Sequence, residues 1–182
     1  MSLSLHQLTE QFTRLVGAVP APTTVIEPVV ALSAAPAVTT GAPAPAASAP
    51  PSPVQTVNHA LKGYDFDATV APDQVAAAAG ILDASGFSLD TITGVDWIAQ
   101  DQMEVVYDYF HPTAPLRAVV RTRIPRANPE LPTILHVFPG ANWHERETHD
   151  FFGILFLGHP NLKPFLLPED ADFHPLRKDY QP

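Results

Sequence analysis

The stretch MEVVYDYFHPTAPLRAVVRTRI, residues 103–124, holds two segments with a period of two on either side of a turn. In the first, Met103, Val105, Tyr107 and Tyr109 alternate with Glu104, Val106, Asp108 and Phe110. In the second, Leu116, Ala118, Val120 and Ile124 alternate with Arg117, Arg121 and Arg123. Such alternation predicts a β-hairpin with one apolar and one charged face, because successive side chains of a strand point to opposite sides. A slip of one residue would put arginines on the apolar face, so the parity is fixed. Pairing Tyr109 with Leu116 around the HPTA turn sets Glu104 opposite Arg121 and Asp108 opposite Arg117. Each such cross-strand pair contributes about 0.2–1 kcal/mol. The arginine row is thereby explained as structure rather than as a dedicated anion site.

Working back from the hairpin, a strand is expected over 89–97 and a helix over 72–85. Pro72 suits the helix's first turn, Val75, Ala78, Ala79 and Leu82 line one side, and Gly86 closes it. Residues 18–60 read as a disordered Ala/Pro-rich linker, with Glu27 the only charge between Pro20 and Pro53. That composition buries too little apolar surface to offset the entropy of ordering. At the start, residues 1–17 form a short amphipathic helix. Ser4 with Gln7 makes a capping box, and Leu5, Leu8, Phe12 and Leu15 share a face. A helix this short is marginal alone. Its stripe needs a partner, either its own domain or another chain. The expectation taken is docking on a further subunit, reached across a spacer able to span about 100 Å.

Working forward, residues 131–138 read as a short helix broken by Pro139-Gly140. Asn142 caps a second helix with Glu145 in its capping box, Gly153 stops it, and 154–157 forms a brief strand. Residues 158–182 are an irregular, Pro-punctuated tail. The sum is one α+β domain over 61–182, with helices packed on one face of a small, mainly antiparallel sheet.

Bulk properties exclude several classes. A net charge of −9 argues against nucleic acid, and the absence of Cys excludes thiolate metal sites in this chain. Neither a secretory signal nor an apolar run long enough to span a membrane is evident.

The charged helix NWHERETHDFFG (142–153) invites a metal reading. Yet His144 and His149 are five apart, so they stand roughly 140° apart around a helix and cannot share an ion comfortably. Glu145 with His149 would be an incomplete site. A plainer account pairs Arg146 with Asp150 and Glu145 with His149 on the helix surface. Glu169, Asp170 and Asp172 read as solvated acids. There is no phosphate-cradling glycine loop, dinucleotide fingerprint or nucleophile elbow.

The stretch NWHERETHDFFGILFLGHPNLKPFLLPEDADFHPLRKDY (142–180) resembles the C subunit of complex I, the proton-pumping NADH:quinone oxidoreductase. The resemblance rests on A-N-W-x-E-R-E-x-x-D-x-F-G-I-x-F-x-G-H-P-x-L and a closing P-L-R-K-D-Y block. More loosely it extends back through VDW at 95–97 to Tyr64. The family includes the equivalent subunit of membrane-bound, energy-converting nickel–iron hydrogenases. LLPED at 166–170, and a chain that stops soon after the closing block, lean towards that branch; the respiratory complex is the alternative, and a stand-alone metal hydrolase a remote one.

The resemblance implies a non-catalytic subunit of an oxidoreductase complex, without cofactor or metal of its own. It would sit peripherally in the hydrophilic arm, on the cytoplasmic side of the membrane, supporting electron transport. Its partners would be the large hydrogenase-like subunit and an iron–sulfur subunit, which carry iron–sulfur clusters and, in the hydrogenase branch, nickel–iron. Interface candidates carried over from the motifs are Trp143, Glu145, Arg146, Glu147, Asp150, Gly153, His159, Pro160, Pro175, Leu176, Arg177, Lys178 and Asp179. Arg177 and Lys178 are candidates for bridging to acidic groups on a neighbour, the alternative being that they pair in cis with Asp179 or Glu169.

Overall fold

The computed structural model describes residues 4–17 and 52–181. The hairpin forms as β4 (Gln102–Phe110) and β5 (Arg117–Pro125), and β3 (Ser88–Trp97) pairs antiparallel with β4. Beyond β5 lie β2 (Phe66–Thr69), parallel to it, and β1 (Val54–Thr56), antiparallel to β2. The sheet therefore runs β1-β2-β5-β4-β3, and it is mainly antiparallel, as expected.

The hairpin register differs from the expectation by two residues: Tyr109 faces Ala118, and Phe110 faces Arg117. The turn is longer because the His111 N–H closes on the Leu116 carbonyl at 2.9 Å. The His111 ring then accepts the amides of Thr113 and Ala114 at 3.3 and 3.1 Å. An even shift preserves parity, so every side chain stays on its predicted face. Charge partners change: Glu104 lies opposite Arg123 at 3.7 Å, and Arg121 reaches Asp67 on β2 at 3.1 Å. Arg117 keeps Asp108, at 3.1 Å, and adds Asp90.

Met103, Val105, Tyr107, Tyr109, Ala118, Val120 and Ile124 are buried on the apolar face. Helices α1 (Leu5–Gly17), α3 (Val75–Ala84) and α4 (Ala141–Phe152) cover it. Gly94 lets α4 close on β3, since a Cβ there would stand 2.5 Å from Phe152 Cδ2.

Four expectations need correction. Helix α1 forms with its capping box, Ser4 N–H to Gln7 Oε1 at 3.2 Å, but it docks on its own domain rather than on a further subunit. Leu8 and Phe12 are fully buried, Phe12 meets Phe66 edge-on at 4.9 Å, and Gln74 Nε2 donates to the Leu15 carbonyl at 2.7 Å. Burying each such side chain stabilises by about 1.5–3 kcal/mol, which explains why the stripe is satisfied in cis.

The expected linker 18–60 is too long at its end: β1 and a short helix α2 (His59–Lys62), capped by Asn58, are built from it. Residues 18–51 lie outside the described residues. Third, 131–138 is not a helix. It is strand β6 (Glu130–Pro132), parallel to β7 (Leu155–Leu157), followed by a turn closing on the Ile134 carbonyl. Leu131, Ile134 and Phe138 are still buried, so the apolar spacing marked the core without marking the conformation. Fourth, α4 begins at Ala141 with Gly140 in the cap position, which puts Asn142 in the first turn.

Candidate docking surface

Helix α4 carries the charged motif, and three of its charged side chains, Glu145, Arg146 and Asp150, turn inward or sideways rather than pairing on the surface. Glu145 is fully buried. Its two oxygens accept Thr133 Oγ1–H at 2.6 Å and the Ile134 N–H at 2.8 Å, holding the segment after β6. Burial raises its pKa above the ordinary 4.5, and these two hydrogen bonds oppose the rise.

The expected Arg146–Asp150 pair is split. Arg146 donates to the carbonyls of Lys163 and Pro164, each at 3.0 Å. Asp150, also buried, accepts the three successive amides of Phe165, Leu166 and Leu167 at 2.8, 2.7 and 3.2 Å. One turn of helix thus grips a five-residue loop by its acceptors and by its donors, leaving few backbone groups to water. Arg146 also stacks over Trp143 and Phe165, at 5.3 and 5.0 Å from the ring centroids.

The C-terminal tail caps the same helix. Four carbonyls lack partners at any helix C-terminus. Here Gly153 N–H takes that of His149, His174 Nδ1 that of Asp150, Leu176 N–H that of Phe151, and Arg177 Nε that of Phe152, at 2.7, 2.9, 3.2 and 2.7 Å. A cation at this end also suits the helix dipole. Gly153 has φ +72°, and a Cβ on it would stand 2.5 Å from both Arg177 Nη2 and His174 Nε2.

The tail's second anchor was missed by the sequence reading. Buried Asp96 on β3 receives Arg126 in a two-pronged contact, Nε–Oδ1 at 2.9 Å and Nη2–Oδ2 at 3.2 Å, and accepts the Lys178 N–H at 2.8 Å. Arg126 also bonds Asp179. Burial pushes the Asp96 pKa up, but Arg126 and the Lys178 amide outweigh it and hold the carboxyl below its ordinary value. Arg126 likewise lowers Asp179. The VDW at 95–97 was the available signal for Asp96; Arg126 stood unremarked just past the arginine row. Arg177 uses its Nε in cis, on the Phe152 carbonyl, so that part of its guanidinium caps the helix terminus.

Of the remaining candidates, Trp143, Glu147, Pro160, Leu176, Lys178 and Asp179 are exposed, while His159 and Pro175 are half-buried. His159 Nδ1 accepts the Asn161 amide at 3.1 Å, its Nε2 is buried without a partner, and burial lowers its pKa. His149 Nδ1 donates to the Ile154 carbonyl at 3.0 Å, which orients its ring beside the end of α4. Among the described residues no group of three or more His, Cys, Asp or Glu could hold a metal ion. No described helix is long and apolar enough to cross a membrane. Among the described residues, seven of the nine exposed large apolar side chains lie in this half: Trp143, Leu155, Leu157, Phe165, Leu166, Phe173 and Leu176.

The chain is 40% identical over 130 residues to the NADH-quinone oxidoreductase C subunit of Herpetosiphon aurantiacus, covering 69% of this chain and 76% of that one. It is 42% identical over 94 residues to the F420H2 dehydrogenase C subunit of Methanosarcina mazei, covering 51% of this chain and 60% of that one. Its fold matches a chain of the membrane-bound sulfane sulfur reductase, an archaeal respiratory membrane complex, with a TM-score of 0.59 and 30% identity. That match covers 64% of this chain and 71% of the other. Residues 68–182 match the family described as respiratory-chain NADH dehydrogenase, 30 Kd subunit. With that stretch taking in β3, β4 and β5 of the five-stranded sheet, the clamped loop and the capped helix, the chain belongs to that family, the C-subunit family of complex I-type complexes.

Proposed function

We propose that this chain is a non-catalytic, cofactor-free subunit of the hydrophilic arm of a membrane-bound redox complex, packing peripherally against the large hydrogenase-like subunit beside an iron–sulfur subunit. In this reading the partners carry the iron–sulfur clusters and the redox chemistry, on the cytoplasmic side of the membrane. The chain supports electron transfer by fixing subunit positions. The observation that carries the proposal is the C-terminal half: apolar side chains stand exposed on a backbone whose polar groups are satisfied internally. Such exposure is costly for a lone protein and useful for an interface.

Glu145 and Asp150 then serve the interface from behind, as supports, while Trp143, Glu147, Leu176 and Lys178 remain able to touch a partner. The hydrogenase branch rests on the LLPED stretch at 166–170. The two curated relatives named above are a quinone-oxidoreductase subunit and an F420H2 dehydrogenase subunit, so the proposal is made for the superfamily. Purification of a tagged copy from gently solubilised membranes tests it. Recovery with a large subunit and an iron–sulfur subunit is the expected result, and the donor oxidised by that preparation assigns the branch. A tagged chain that returns alone would overturn the reading.

A further inference from the structure

The loop 163–167 is held from both sides by one turn of α4, yet its largest side chains stand exposed. Phe165 and Leu166 are 41% and 52% exposed, and Trp143, whose ring lies 4.9 Å from that of Phe165, is 53% exposed. A loop normally exposes polar side chains and leaves its backbone to water. Here the arrangement is reversed: the backbone is sealed by Arg146 and Asp150, and the apolar groups face out.

We infer that Trp143, Phe165 and Leu166 form a pre-organised apolar knob that inserts into an apolar crevice, rimmed by basic side chains, on a neighbouring protein subunit. The inference rests on the reading of the chain as a complex subunit and deepens it by naming the contact. Pre-organisation is the first argument. Ordering a free loop on binding opposes association, and a loop already fixed by five hydrogen bonds has lost that freedom before it meets its partner. Shape is the second, because an aromatic anchor at the centre of a desolvated pocket is where interface energy concentrates.

Charge names the partner. The chain leaves the knob directly into Glu169, Asp170 and Asp172, all exposed, and the protein carries a net charge of −9. Lys163 opens the loop as an exposed cation but is outnumbered by these three acids, and the Arg146 guanidinium stacked on the knob is occupied by carbonyls and rings. An anionic lipid surface or a second copy of this chain would meet like charge there, whereas a basic rim around an apolar pocket would be complementary.

The test uses the full-length chain in its own complex. Wild type, Phe165→Ala/Leu166→Ala, Glu169→Lys/Asp170→Lys and, as a control, Leu61→Ala are tagged and recovered from gently solubilised membranes. Leu61 is 81% exposed on α2, at the opposite edge of the sheet from α4. The expected result is at least about tenfold lower subunit recovery for the knob variant, with unchanged circular dichroism and unfolding midpoint, and wild-type recovery for L61A. The rim variant is expected to lose recovery and also the salt sensitivity of the wild type.

Full recovery of F165A/L166A alongside wild type would overturn the knob while leaving the subunit reading intact. Wild type recovered without partners would remove both. Knob-dependent sedimentation with vesicles of anionic phospholipid, at unchanged subunit recovery, would assign the knob to the membrane and overturn the inference.

Discussion

Replacing Arg126 with Ala tests the tail anchor most directly. The Asp96 side chain is 1% exposed and that of Arg126 15%, so the pair is shielded from water and its loss leaves a carboxylate without its cation. Breaking a buried pair costs about 3–5 kcal/mol. Two features of this site lower the figure: the pair lies just beneath the surface, and the Lys178 amide still reaches Asp96. Together they leave about 2–3 kcal/mol, read as a shift of the urea midpoint at pH 7 with unchanged slope.

A second readout is local. The tail carries Arg177 and Lys178, so brief trypsin treatment of native protein reports how often residues 174–180 lift from α4. R126A is expected to release that segment well before any internal fragment. R126K, which keeps the charge without the two-pronged geometry, is expected to recover less than half of the lost stability.

The acid limb supplies the sign. Asp96 has a lowered folded pKa, so its contribution is present above its ordinary 3.8 and disappears as pH falls through the lowered value. In R126A that acid-induced loss should be smaller than in wild type. An R126A protein within about 0.5 kcal/mol of wild type, with wild-type tail cleavage, would refute the anchor.

Four further outcomes follow from contacts elsewhere in the fold. Glu145 has a raised folded pKa, so its contribution to stability declines as pH climbs above 4.5 through the raised value. The difference between wild type and Glu145→Gln, measured by denaturation from pH 4 to 8, should show that decline. Glu145→Ala, which strands Thr133 and Ile134, should cost about 2–4 kcal/mol. Gly153→Ala should lose about 1–2 kcal/mol from the left-handed backbone alone, with added trypsin sensitivity at Arg177 because the new methyl displaces its side chain. Phe12→Ala should cost about 3–4 kcal/mol and expose α1 to hydrogen exchange. Unchanged exchange there would mean that α1 gains nothing from docking.

The hairpin shows what the sequence carried and where it stopped. Period-two alternation is a local property, so the buried and charged faces of β4 and β5 were legible residue by residue. Register depends on loop length, and that was decided by His111 folding its ring into the turn, which no alternation records. Residues 131–138 failed for a related reason. Burial of Leu131, Ile134 and Phe138 suits a helix, but the strand β7 that pairs with β6 and the glutamate that holds Ile134 lie more than ten residues away. The docking of α1 was similarly out of reach: its stripe was plain, whereas Phe66 and Gln74 become its partners only once the sheet is built.

Helix α4 shows the same limit acting on charge. Charges four apart on a helix are ordinarily read as surface pairs, and Arg146 with Asp150 fits that pattern by spacing alone. An exposed pair of this kind is worth only a few tenths of a kcal/mol, whereas two hydrogen bonds from Arg146 and three to Asp150 order a loop that has no regular structure of its own. In this fold the unpaired backbone groups of the irregular segment after α4 compete for those two charges and win. That inverts the first impression of the motif: Glu145, Arg146 and Asp150 bond within the protein, and beside the exposed Glu147 the large side chains left standing out, Trp143, Phe165 and Leu166, are apolar.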